Sequence, residues 1–122
     1  MSSPKLLKRF RVPLYGFTVY IYSGKSPRKT DDQWKTVVAL TELDDTYSKI
    51  FIHFDYDKSF DTSAAAHEAV HAALMILEYR GIKTTEENSE PMAYLVQYLM
   101  EQMMPAMIKE EKRHENESTT TA

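Results

Sequence analysis

The segment DTSAAAHEAVHAALMILEYRG, residues 61–81, constrains the fold of this chain more than any other stretch. Almost every position is small or apolar, which predicts a helix that packs into the core and is capped at 61–63. Gly81 followed by Ile82 is a typical C-terminal signal, because glycine adopts the left-handed conformation and the apolar residue folds back on the helix. Two imidazoles and one carboxylate lie within this otherwise apolar helix. Their presence in a helix that is expected to pack into the core requires a chemical explanation.

His67 and His71 are four positions apart, so a helix places both imidazoles on one face, about one turn from each other. Two imidazoles in this arrangement can bind one metal ion. Glu68 is rotated by about 100° and lies at the edge of that face, where it can hold a metal-bound water. This is the HExxH pattern of zinc hydrolases. The competing interpretation, two core histidines with an incidental glutamate, would bury three ionisable groups without compensation.

Composition limits the choice of ligands and partners. The 122 residues include no cysteine, which excludes disulfides, thiolate zinc ligands and a cysteine nucleophile. Any metal must then be held by His, Asp or Glu. The formal net charge of -3 argues against a nucleic-acid partner. No apolar run approaches the roughly 20 residues that cross a bilayer, and residues 1–12 lack the apolar core of a signal peptide. We therefore expect a cytoplasmic protein without a membrane partner.

A catalytic zinc usually takes three protein ligands and leaves a fourth position for water. No aspartate follows Asp61, and the position six residues after His71 is Leu77, which excludes the extended metzincin pattern. Glu78 shares the histidine face but lies about 10 Å further along the helix axis, too far to bind the same ion. The remaining candidates are Glu86, Glu87 and Glu90, with His53 and His114 as outsiders.

Glu90 is favoured among these candidates because it begins a polar stripe on an otherwise apolar second helix. The stripe consists of Glu90, Tyr94, Gln97, Tyr98 and Glu101. The connecting loop is long enough to bring Glu90 back to the histidines. Residues 82–88 can span about 23 Å when extended, whereas His71 lies about 15 Å from Gly81 along its helix. The alternative is that Glu90 is an acid at a helix N-terminus, where it interacts with the helix dipole.

The first half of the chain predicts strands. The alternation within 9–24 predicts one strand, and residues 1–9 precede it as a short mobile arm. Residues 30–43 are ambiguous between helix and strand, because a capping-box pattern is followed by the β-branched run TVVALTEL. We favour a hairpin that pairs 36–43 with 48–55.

The second half predicts a return helix and a tail. Pro91 marks the start of the second helix, since proline is tolerated in a first turn, and this helix runs to Pro105. The last stretch, KEEKRHENESTTTA, has no apolar residue except the terminal alanine, which predicts disorder. We therefore expect a single domain over 1–108 and a disordered tail over 109–122.

The chain resembles zincin-type metallopeptidases with a glutamate as third ligand, the gluzincin arrangement. HEAVHAALMILEYRG followed by ENSEPMAYLVQYL is similar to small, single-domain HExxH proteins encoded by bacteriophages. The resemblance covers the helical half and fits the first half in layout only. It implies that His67, His71 and Glu90 bind zinc and that Glu68 is the general base. Tyr94 departs from the thermolysin-like pattern, in which an acid at this position orients a zinc-binding histidine.

The implied fold is α+β, a minimal zincin-like arrangement of about three strands packed on the HExxH helix and a second, return helix. The implied function is a zinc-dependent metallopeptidase that hydrolyses a protein or peptide substrate with a zinc-activated water and Glu68 as base. Tyr94 or Tyr98 would stabilise the oxyanion, although both also suit ordinary aromatic packing. The alternative is a zinc-stabilised, non-catalytic module that binds a host or phage protein. The sequence indicates neither the substrate nor the oligomeric state.

Overall fold

A computed structural model describes residues 4–26, 39–55 and 62–120 of the chain. These residues form a four-stranded mixed sheet and two helices, which confirms the predicted α+β class with one strand more than expected. The elements are β1 Lys5–Arg11, β2 Thr18–Ser23, β3 Ala39–Asp44, β4 Lys49–Phe54, α1 Thr62–Tyr79 and α2 Glu90–Thr120.

The single strand predicted over 9–24 is wrong, because a tight turn divides this segment between β1 and β2. Pro13 cannot donate a ladder hydrogen bond, and Gly16 supplies a φ of 74° that favours glycine. The backbone N–H of Val12 donates to the carbonyl of Phe17 at 2.7 Å and closes the turn. β1 and β2 therefore pair as an antiparallel hairpin.

The sheet has the order β1-β2-β4-β3. β1 and β3 pair antiparallel with their neighbours, whereas β2 and β4 are parallel. The predicted hairpin of 36–43 with 48–55 is confirmed over its described part, since β3 and β4 pair from Ala39 opposite Phe54 onward. The remaining question of helix or strand concerns residues 30–38, which lie outside the described residues. Within the described sheet, β3 is an edge strand.

Both helices cover the same face of the sheet, with α1 beside β3 and α2 beside β1. Small side chains on α1 let its backbone approach the strands closely, because alanine adds little thickness to the contact. Larger residues of α2 fill the remaining space. The fully buried members from the helices are Ala65, Ala69, Ala72, Ala73, Ile76, Leu77, Leu99, Met103 and Met107.

The end of α1 confirms the predicted glycine signal. Gly81 has a φ of 74° and its N–H donates to the carbonyl of Glu78 at 3.0 Å. The N–H of Ile82 donates to the carbonyl of Leu77 at 2.8 Å, and Ile82 packs on the core. This is the Schellman arrangement, which satisfies carbonyls that the helix itself cannot bond. In the described residues, neither helix has a stretch long and apolar enough to cross a membrane.

The predicted mobile arm over 1–9 and the predicted disordered tail over 109–122 differ from the structure, because parts of them bind each other. β1 begins at Lys5, and α2 continues past Pro105 to Thr120. Glu110 is buried, accepts two hydrogen bonds from Arg113 at 2.6 and 3.1 Å, and lies 3.4 Å from the Lys5 ammonium. The predicted single domain over 1–108 stays a prediction.

Candidate metal centre

His67 and His71 lie on the outer face of α1, in its first half, and both are exposed. Their Nε2 atoms are 3.1 Å apart, and their ring planes are inclined by 72°. A tetrahedral zinc with Zn–N bonds of about 2.0–2.1 Å separates two imidazole nitrogens by about 3.3 Å. The 3.1 Å separation is that of a hydrogen bond between the two rings, and it is also close to the spacing that a shared ion requires. Because both histidines are exposed, the expected burial of the pair is wrong, both as a pair packed in the core and as a reason for requiring a metal.

Glu68 is 5 % exposed and faces β3, about 100° around α1 from His67. The Thr41 hydroxyl donates a hydrogen bond to Glu68 Oε1 at 2.6 Å. A hydrogen bond to a carboxylate at this distance is short and strong. The edge strand therefore holds the carboxylate in one orientation against β3.

Thr41 is the functional candidate that sequence reasoning missed. In β3 it shares a face with Ala39 and alternates with Leu40 and Glu42, so its side chain points to the helix face of the sheet. A hydroxyl on that half-buried face needs a hydrogen-bond partner. The alternation of the strand could have placed the Thr41 hydroxyl on the helix face. It could not have identified Glu68 as the acceptor, because that depends on how α1 packs against β3.

Glu90, the predicted third ligand, is the first residue of α2 and is exposed. It lines a groove together with the β1–β2 turn, and Arg80 at the end of α1 binds this turn by donating to the Tyr15 carbonyl at 2.8 Å. Arg80 lies about 13 Å beyond His71 along the helix axis. Within the described ranges, no group of three His, Cys, Asp or Glu side chains could hold a metal. Glu90 as a ligand stays a prediction.

Tyr94 and Tyr98 line the same groove as Glu90. Tyr94 is 67 % exposed, whereas the Tyr98 hydroxyl donates to the Arg11 carbonyl at 3.2 Å. The Tyr98 ring also packs edge-on against Phe10. Neither tyrosine lies beside the histidine pair in this arrangement, and their role as oxyanion donors stays a prediction.

His53, an outside candidate for the metal, is buried and belongs to the opposite face of the sheet. Its ring stacks on Tyr22 with centroids 4.6 Å apart, and its Nδ1 lies 3.1 Å from the Gly24 carbonyl. Its Nε2 lies 3.8 Å from Glu42. These contacts describe a structural residue of the sheet.

The three other acidic or histidine candidates have no described contact with the pair. Glu86 and Glu87 are exposed in the loop between the helices. The side chain of His114 lies outside the described part of the chain.

These residues define a pair of exposed histidines with a buried carboxylate next to them in sequence, carried by a helix beside an edge strand. No match to the chain was found among protein-family models, curated proteins or solved structures. The functional assignment therefore rests on the geometry of the site and on its chemistry.

Proposed function

We propose that this chain is a zinc-dependent peptidase in which His67 and His71 hold the metal and Glu68 is the general base. The observation that carries the proposal is the 3.1 Å separation of the two Nε2 atoms, which suits a shared ion. The buried carboxylate next to the pair adds the second component that hydrolysis requires. A purely structural metal site would not need this carboxylate.

When bound, zinc supplies a water of lowered pKa and a Lewis acid that polarises the scissile carbonyl. Glu68 takes a proton from the attacking water and delivers it to the leaving amine. Thr41 holds Glu68 Oε1 through the 2.6 Å hydrogen bond, which directs the other carboxylate oxygen to proton transfer. Because Thr41 is neutral, it orients the base without cancelling its charge.

The shape of the site favours an extended peptide as substrate. β3 has one hydrogen-bonded neighbour in the described sheet, so its other edge can accept an added strand. β3 lies alongside α1 over most of the length of the helix. Thr41 contacts Glu68 near one end, and the Asp45 carbonyl accepts a hydrogen bond from the Tyr79 hydroxyl at 3.2 Å near the other. A peptide that pairs with β3 would pass the base and the histidine pair.

The third ligand is a separate part of the proposal. Glu90 is the predicted residue, and its binding requires the first turn of α2 to move towards the histidines. If Glu90 is a ligand, Glu90→Ala lowers zinc affinity, whereas the matched change Glu101→Ala on the same helix leaves it unchanged. Equal zinc affinity in both variants would remove Glu90 from the site.

A zinc-stabilised binding module is the second candidate function. It is favoured by one observation, that the Glu68 carboxylate is buried and accepts a hydrogen bond from Thr41, as a structural side chain would. The resemblance to phage-encoded HExxH proteins fits both candidates, with a host or phage protein as partner. A cytoplasmic setting belongs to both as a proposal.

A peptide-library digest of wild type and Glu68→Gln separates the two functions. The variant should keep its zinc, because no ligand is lost, while hydrolysis falls by about a hundredfold or more. Zinc content measured on the same samples shows that the comparison is made at equal metal loading. Equal cleavage by both proteins would exclude Glu68 as the base, and zinc binding without any cleavage by wild type would favour the binding module.

A further inference from the structure

We propose that a groove between the β1–β2 turn and the start of α2 binds a proline-containing basic segment of a partner protein. The groove encloses about 450 Å³ and is separate from the histidine pair. Its walls are rings and carbons of Pro13, Tyr15, Pro91, Tyr94 and Tyr98, with the Glu90 carboxylate among them. The proposal goes beyond the peptidase function, and it requires Glu90 to stay in the groove, so it competes with Glu90 as a zinc ligand but not with the histidine pair or Glu68.

The turn on one side of the groove has a strained backbone. Leu14 has a φ of 71°, and the Tyr15 N–H donates to the Pro13 carbonyl at 2.8 Å across it. This is a γ-turn of the rare kind, centred on Leu14. It is strained because the positive φ crowds the β-carbon of this residue. The turn presents the Leu14 side chain at 98 % exposure. Strain combined with an exposed apolar side chain is typical of a binding element.

The backbone of this turn is not available for strand addition. Its N–H groups are used internally, since Val12 donates to Phe17 at 2.7 Å and Gly16 donates to Val12 at 3.3 Å. A partner must therefore be recognised through side-chain packing. The volume suits a few side chains, which fits a narrow ligand better than the 10–12 Å cylinder of a helix.

The chemistry of the walls favours a polyproline II segment as the occupant. Grooves lined by aromatic rings bind such segments through the flat faces of prolines, and the extended backbone has no internal hydrogen bonds to break. Tyr94 is 67 % exposed and can cover a proline with its ring. Tyr98 is held in place by its bond to the Arg11 carbonyl, so its wall is already formed before binding.

The charge at the groove favours a basic residue in the partner. Glu90 lines the groove, and the exposed Glu86 and Glu87 precede it on the same loop. The stretch 83–90 carries these three glutamates and a single lysine. Arg11 and Arg80 lie beside Gly16 on the turn side of the groove, so the basic residue of the partner is expected at the α2 side, next to Glu90.

The test is an NMR titration of the full ¹⁵N-labelled chain with the peptide acetyl-PPLPPR-amide. We expect saturable shifts at the amides of residues 12, 14, 15, 90 and 92–98. Tyr94→Ala should weaken binding by about tenfold. The matched control Tyr47→Ala removes another exposed tyrosine, in the β3–β4 turn, and should leave the affinity unchanged. Equal affinity for both variants would overturn the proposal.

The charge is tested with a second peptide in which arginine is replaced by glutamate. Wild type should bind it more weakly than the arginine peptide, and Glu90→Gln should reduce the difference, whereas Glu101→Gln should not. No shifts, or equal binding of both peptides, would overturn the proposal. Shifts along β3 would assign the peptide to the proposed substrate cleft, and shifts at 12–15 that depend on protein concentration alone would assign the groove to a second copy. Both of these outcomes also exclude the proposed partner, and neither bears on the metal.

Discussion

The two ends of α1 differ in how their polar groups are used. In the first half, His67 and His71 are exposed with their Nε2 atoms 3.1 Å apart. At the other end, Arg80 donates to the Tyr15 carbonyl at 2.8 Å and lies over the Phe17 ring. Gly81 and Ile82 then close the helix with backbone hydrogen bonds.

This difference indicates that the two ends of α1 have separate roles, one in attaching the helix and one in presenting the histidines. The C-terminal end attaches α1 to the β1–β2 turn and so fixes the position of the whole helix on the sheet. The first half can therefore hold exposed histidines in a defined arrangement, because its buried face already packs on the strands. Substitutions of the two exposed histidines should change chemistry with little effect on stability, and substitutions at the C-terminal end should do the opposite.

The largest expected effect is on metal binding. His67→Ala and His71→Ala should each lose zinc, because each removes one of the two imidazoles that share the ion. Zinc content of the purified proteins measures this, and urea unfolding of the metal-free proteins should show stabilities close to wild type, since both side chains are exposed. His114→Ala is the control and should keep its zinc. Full zinc content in the double variant would contradict the site.

The next effect concerns the orientation of the base. Thr41→Val keeps the shape of the side chain and removes the hydroxyl that donates to Glu68. We expect kcat to fall by about tenfold with KM and zinc content nearly unchanged, and Thr41→Ser to recover most of the loss. A double-mutant cycle with Glu68→Ala, which removes the acceptor, measures the same contact by unfolding of the metal-free protein, independently of activity. Additive stabilities would show that the two side chains do not interact.

A smaller effect is expected at the C-terminal end of α1. Arg80→Ala removes the hydrogen bond to Tyr15 and the packing over Phe17, so the free energy of unfolding should fall by about 1–2 kcal/mol. Zinc affinity should stay the same. Thermal unfolding measures the stability, with Lys83→Ala as a control for the loss of a nearby charge. A variant that lost zinc without losing stability would break the contrast between the two ends.

The smallest effect is expected at the buried ion pair of Glu110, which lies away from α1. Hydrogen bonds from Arg113, and then the Lys5 ammonium, hold the pKa of Glu110 below its ordinary value. A lowered pKa in the folded state means that the carboxylate stabilises the fold above the ordinary pKa and that this contribution disappears as the pH falls through the folded pKa. Glu110→Gln should therefore cost about 1 kcal/mol at pH 7 and progressively less below about pH 4. A pH-independent difference in urea unfolding would contradict this assignment.

Sequence alone determined the features that depend on near neighbours along the chain. The bounds of α1, its glycine end and the shared face of His67 and His71 follow from helical periodicity and local capping. The β3–β4 hairpin follows from two β-branched runs on either side of a polar turn. In each case the residues that decide the structure are within a few positions of each other.

Only the tertiary structure decided the contacts between distant segments. Thr41 and Glu68 are 27 positions apart, and Lys5 and Glu110 are 105 apart, so no periodicity connects them. The continuation of α2 past Pro105 depends on such contacts, because buried Met103 and Met107 and the ion pair of Glu110 offset the cost of a proline inside a helix. The place of Glu90 was also decided there. The loop is long enough to reach the histidines, and the tertiary structure has Glu90 lining the groove beside the β1–β2 turn, while its role as a zinc ligand stays a prediction.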